Sequence, residues 1–174
     1  MTTGTRPLAL VFALIATLTL AACGGSPAAE SPQGNDKDAP KATTYTVKTV
    51  DGATLTVPDG KPVAAYFFSL TCGHCVKAGK AFVAARAKLS DQATFLLVDA
   101  NPTETNADVD KFRDLIGGKD VPAAFNKEAK LMQAWGVDAM TTIVVLDATG
   151  KVSYQRSNPT LEEMLTAVDE AARG

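Results

Sequence analysis

Cysteine is scarce, with three among 174 residues. That is too few to staple a miniature scaffold, and a chain this long does not need stapling to bury a core. Histidine occurs once and tryptophan once. A structural zinc site takes four ligands, whereas only Cys72, His74 and Cys75 cluster in the sequence. No metal and no cofactor are therefore expected. A long basic block is missing and the net charge is -2, which excludes nucleic acid as an expected partner. Long apolar runs are missing too. Leu8 to Leu20 is apolar apart from two threonines, which is short of the about 20 residues that a membrane-spanning helix needs. What is present is ordinary for a globular protein: 46% hydrophobic and 21% charged residues, enough for one domain with appendages.

The informative stretch is Cys72-Gly73-His74-Cys75. It follows the apolar run Val63 to Phe68 and opens a helical pattern that reaches about Leu89. A strand thus delivers Cys72 to a helix N-terminus, where unpaired N–H groups and the helix dipole favour a thiolate. Cys75, one turn on, is placed to attack a mixed disulfide on Cys72. This is a device for exchanging disulfides; the alternatives are a structural cross-link or half of a zinc site.

The N-terminus reads as a targeting segment. Arg6 precedes an apolar stretch of signal-peptide length, which ends in Leu20-Ala21-Ala22-Cys23-Gly24. The ending resembles the lipobox of bacterial lipoproteins. That resemblance implies cleavage after residue 22 and lipidation (palmitate among the acyl groups) of Cys23. Several acyl chains on one cysteine hold a membrane firmly. The domain would then lie outside the cytoplasm, where disulfides persist. Residues 23–43 are rich in Gly, Ser, Pro and Asp and read as a flexible leash after the anchor. The ordered domain is expected over 44–174.

Within it, Tyr45 to Val50 and Ala53 to Val57 alternate around Asp51-Gly52, a hairpin signal in which both turn positions want positive φ. Val63 to Phe68 reads as a central strand covered on both faces. The following helix carries Cys75, Ala78, Phe82, Ala85 and Leu89 on one stripe. Cys75 thus heads the buried face and Cys72 sits at the exposed tip, which makes Cys72 the nucleophile and Cys75 the resolving thiol. Thr94 to Val98 predicts a strand parallel to the first, by a right-handed crossover. A helix is expected over about 104–116, with Val109, Phe112, Leu115 and Ile116 inward and Gly117 as its stop. Asn126 is expected to cap a third helix through Trp135, closed by Gly136, with Trp135 in the core. Thr142 to Leu146 and Lys151 to Gln155 predict an antiparallel hairpin. Thr160 and Glu163 predict a capping box on the last helix. This order gives an α/β layer fold with a mixed sheet.

Over about residues 44–172 the chain resembles thioredoxin-fold proteins, and more narrowly the TlpA/ResA type of membrane-tethered thiol–disulfide oxidoreductases. The hairpin, Gly60-Lys61-Pro62-Val63, the Cys72–Cys75 motif, the insertion from Asn101 to Gly118 and Trp135-Gly136-Val137 carry the likeness. The resemblance implies a thioredoxin-like fold with a central mixed sheet flanked by helices, an N-terminal hairpin and a helical insertion. It also implies a substrate-binding loop at Met140 and Thr141. Thr141 stands where the family usually has a cis-proline facing the cysteines. A non-proline cis bond costs about 2.5–4 kcal/mol, so Thr141 is expected trans, its hydroxyl either bonded to a cysteine sulfur or satisfied locally. Tyr66 replaces the buried acid of thioredoxins, Ala78 the glutamate of cytochrome-maturation reductases, and Thr71 the usual tryptophan. These departures argue against a dedicated cytochrome c maturation reductase.

Gly73-His74 resembles the dipeptide of protein disulfide isomerases. A positive His74 beside the Cys72 thiolate would favour the reduced form. The potential is then expected nearer the isomerases' about -180 mV than thioredoxin's about -270 mV. The expected function is thiol–disulfide exchange with exported proteins (oxidation, isomerisation, or reduction where a membrane redox partner supplies electrons). The competing reading is a non-catalytic binding module that keeps a structural disulfide.

Overall fold

The computed structural model describes residues 43–126 and 128–174. The expected signal segment, Cys23 and the expected leash up to residue 42 lie outside the described residues. Among the described residues no helix is long and apolar enough to cross a membrane.

Strands β1 (Tyr45–Lys48) and β2 (Thr54–Val57) form the expected antiparallel hairpin. Of its two turn residues only Gly52 takes positive φ, at 86°. The main sheet holds β3 (Val63–Phe68), β4 (Thr94–Asp99), β5 (Ala123–Phe125), β6 (Thr142–Leu146) and β7 (Val152–Ser157), in the order β5-β4-β3-β6-β7. β4 runs parallel to β3 and β6 antiparallel to it. The hairpin leans on the β5 edge, where the Val50 N–H donates to the Ala123 carbonyl at 2.8 Å.

Because strand side chains alternate faces, β3 supplies two cores. Ala64, Tyr66 and Phe68 point to one side, where α1 (Cys75–Leu89), α2 (Asn106–Ile116) and α4 (Leu161–Arg173) cover the sheet. Val63, Ala65 and Phe67 point to the other, which Trp135 and the hairpin cover. All six residues of β3 are buried, as its unbroken apolar run predicted. The aromatic rings of the first core stack, with Phe68 and Phe112 centroids 3.9 Å apart. α1 and α2 approach closely at Gly79, where a Cβ would sit 2.7 Å from Ile116 Cγ2.

Local differences from the sequence reading have local causes. α1 begins at Cys75, so Cys72 precedes the helix in a turn closed by the Cys75 N–H on the Cys72 carbonyl. α2 begins at Asn106, because Thr105 and Asp108 form a capping box ahead of it. Leu115 is exposed rather than inward, while Arg113 on that helix is buried and paired with Asp51 and Asp110. α3 (Lys130–Trp135) starts after Ala129, not Asn126. The Asn126 side chain nonetheless accepts the Leu131 N–H at 2.9 Å, serving the helix from outside it. The capping box of Thr160 and Glu163 on α4 is as expected.

Candidate active site

β3 ends beneath the motif, and the turn after it lifts Cys72 to the surface. Cys72 and Cys75 are joined as a disulfide, with Cα atoms 5.4 Å apart. Cys75 is wholly buried, whereas Cys72 is partly exposed. His74 is the N-cap of α1; its exposed side chain makes no capping bond, and the helix has no acidic residue in its first turn. The positive end of the helix therefore faces the cysteines without an acid to offset it.

Tyr66 lies under the pair. Its hydroxyl donates to the Cys75 carbonyl at 2.9 Å, and burial pushes its ionisation above the ordinary tyrosine range. It is a fixed donor, not a base. Thr141 is the turn residue just before β6. Its N–H donates to the Phe67 carbonyl, and its own carbonyl accepts the Asn158 N–H. Its φ is 62°, and the only cis peptide among the described residues is Val57–Pro58. Thr141 is thus trans, and its hydroxyl donates to the Met140 carbonyl, so its polar groups are satisfied locally. Met140 beside it is partly buried and packs against the first core, as Cys72 does.

A groove of about 350 Å³ adjoins the motif between α1 and the start of α4, lined by His74, Lys77, Ala78, Asn158, Pro159 and Leu161 among others. A larger cavity, about 610 Å³, lies between the hairpin and residues 125–131 and contains none of these groups.

The sequence reading missed a polar cluster under the redox turn. Glu104 is 5% exposed. Its carboxylate accepts from Ser69 Oγ at 2.6 Å, from the Leu70 N–H at 3.0 Å and from Asn101 Nδ2 at 2.8 Å. Asp99, at the end of β4, is wholly buried, and burial pushes its carboxyl up to about 7; the Asn101 amide opposes the shift, and the neighbouring Glu104 adds to it. The one signal in the sequence was an acid, Asp99, closing an otherwise apolar strand.

The fold and the site together define a class: a thioredoxin-like α/β protein with a disulfide-linked Cys-x-x-Cys at the head of its first helix. No protein-family model matches the chain. It is 37% identical over 149 residues to a Streptomyces lividans protein described as mercury resistance operon ORF3, across 84% of this chain and 77% of that one. The chain belongs to that protein's family. Solved structures share the fold. The exposed lipoprotein thioredoxin of Streptococcus pneumoniae superposes with a TM-score of 0.64 at 21% identity, over 74% of this chain and 99% of that one. A thioredoxin-family thiol:disulfide interchange protein of Chlorobium tepidum gives 0.64 at 21% identity, over 76% and 95%. A secreted Mycobacterium tuberculosis disulfide oxidoreductase gives 0.61 at 17% identity, over 72% and 95%.

Proposed function

We propose that the protein is a thiol–disulfide oxidoreductase of TlpA/ResA type, held outside the cytoplasm by lipid on Cys23 and acting on exported proteins. The observation that carries this reading is the asymmetry of the pair: a partly exposed Cys72 bonded to a wholly buried Cys75 at an uncapped helix start. In the reducing direction the Cys72 thiolate attacks a substrate disulfide, and the departing substrate sulfur takes a proton. The Cys75 thiolate then attacks the Cys72 sulfur and frees the second substrate thiol. Two electrons pass to the substrate and Cys72–Cys75 is left oxidised. Oxidation of a substrate dithiol is the same sequence reversed. The lipobox-like Leu20 to Gly24 supports the tether.

To test the reading, the full chain is equilibrated in glutathione buffers and its thiols are trapped. A potential near that of isomerases, with mixed disulfides captured by Cys75→Ala, supports exchange. A potential below about -300 mV marks a structural bond and overturns it.

The operon of the Streptomyces relative favours a second reading. Reduced Cys72 and Cys75 form a pair of soft thiolates, and mercuric ion is a soft cation that two thiolates in line can satisfy. Titrating the reduced protein with mercuric chloride should give ultraviolet thiolate-to-metal absorption that saturates at one ion per chain. Saturation that survives Cys72→Ser excludes the pair as the site.

A further inference from the structure

The turn that presents Cys72 is held from below. Ser69, buried at 4% exposure, is its hub. The Ser69 hydroxyl donates to Glu104 and accepts the Thr71 N–H at 3.2 Å, and the Ser69 carbonyl accepts the Cys72 N–H at 3.1 Å. The Leu70 N–H is shared by both oxygens of Glu104, each at 3.0 Å. An ionised carboxylate that accepts this many donors makes stronger bonds than a neutral group would. Every residue from Ser69 to Cys72 is therefore tied to Glu104 directly or at one remove.

Asn101 joins this carboxylate to a second one, its Nδ2 donating to Glu104 at 2.8 Å and its backbone N–H to Asp99. Asp99 Oδ1 accepts the Asn101 N–H at 2.9 Å, whereas Asp99 Oδ2 is buried without a partner. A buried carboxylate oxygen left bare is costly. A buried carboxyl beside a second acid resists ionising, so Asp99 holds its proton more tightly than an exposed aspartate does. The charged groups acting on Asp99 are Glu104 and, from α2, Asp108, both acidic. Its strand neighbours in register are Phe68 of β3 and Phe125 of β5.

We propose that Glu104 is a positioning residue for Cys72, and that the protonation of the buried Asp99 beside it sets how firmly Glu104 holds the Ser69–Cys72 turn, and with it the reactivity of Cys72. The inference rests on the exchange reading above. With the proton present, Glu104 stays on Ser69 and Leu70 and the turn is firm. When the proton leaves, two like charges face each other in a buried place, Glu104 is pushed off its donors, and the turn loosens. The only covalent change is the proton's departure to solvent; no bond to sulfur is made or broken.

The test uses the reduced full chain, its Asp99→Asn and Glu104→Gln variants, and two readouts across pH 5 to 9. One is the rate of Cys72 alkylation by iodoacetamide. The other is amide exchange at Leu70, corrected for intrinsic pH dependence. Thiol ionisation adds a pH dependence that all three proteins share, so the differences between them are read. In the wild type, Leu70 protection should fall about ten- to a hundredfold as pH rises through neutrality, the size expected for one lost hydrogen bond to a charged group. The alkylation profile should depart from a single titration over the same interval. Asp99→Asn should remove both features, and Glu104→Gln should lower Leu70 protection at every pH. Coincident profiles for wild type and Asp99→Asn would overturn the inference, and these two proteins decide the matter if Glu104→Gln does not fold. If Cys72 alkylates no faster than a free cysteine in every protein, the exchange reading falls, while Leu70 exchange still judges the carboxyl pair.

Discussion

The hydroxyl of Tyr66 reaches the carbonyl of Cys75 across 2.9 Å of buried space. It ties the central strand to the first residue of the redox helix. In thioredoxins an acid stands at the aligned position and moves a proton. Here a phenol stands there and holds the backbone.

Replacing Tyr66 with Phe keeps the ring among Phe68, Phe82 and Phe112 and removes only that bond. Stability of the oxidised protein should fall by about 1 kcal/mol, read from the urea midpoint. The pH dependence of exchange should not change, because burial keeps Tyr66 protonated far above neutrality. A shifted pH profile would mean that the phenol takes part in proton transfer.

His74 sits between the cysteines as the N-cap of α1. His74→Pro removes the imidazole from beside Cys72 and should make the pair more reducing by about 30 mV, which corresponds to about 1.4 kcal/mol. Glutathione equilibration reads this directly, and an unchanged potential would remove His74 from the electrostatics of the site.

Asp99 gives a pH dependence of known sign. Its carboxyl is raised in the folded protein from 3.8 to about 7, so between those values the native state holds a proton that the unfolded chain has released. The stability that this group contributes is full below pH ~4, declines by at most about 1.4 kcal/mol per unit as pH rises, and is gone above ~7. Asp99→Asn should flatten that decline. Urea unfolding at several pH values gives the difference, and parallel curves would place the Asp99 ionisation at its ordinary value.

Gly79→Ala tests how close α1 and α2 lie. The added methyl would meet Ile116 Cγ2 at 2.7 Å. Overpacking costs about 1–3 kcal/mol, and a better helix former returns up to about 1 kcal/mol. A net loss is expected, smaller in the Ile116→Ala background. Equal losses in both backgrounds would show that the two helices have room to part.

Signals confined to one element were legible in the sequence. The stripe Cys75, Ala78, Phe82, Ala85 and Leu89 is buried in α1 because a single periodicity decides it. Thr160 and Glu163 close a capping box because both partners lie within one turn. The start of α3 was misread because Asn126 caps from a distance and Ala129 takes a left-handed conformation, with φ at 54°. Leu115 followed the helical pattern inward, but a buried Arg113 paired with Asp51 holds the neighbouring surface. Glu104 was invisible for a different reason. Its partners Ser69 and Leu70 lie 35 and 34 positions away, and no local spacing links an acid in one connection to a serine in another.

Residue 141 has a consequence for recognition. Both of its backbone groups are already bonded, to Phe67 of β3 and to Asn158 just after β7, and the residue is 4% exposed. An arriving polypeptide finds no vacant rung there on which to zip itself to the sheet. On the exchange reading, a client docked at this position would be held by shape and side chains, with main-chain pairing to residue 141 playing no part.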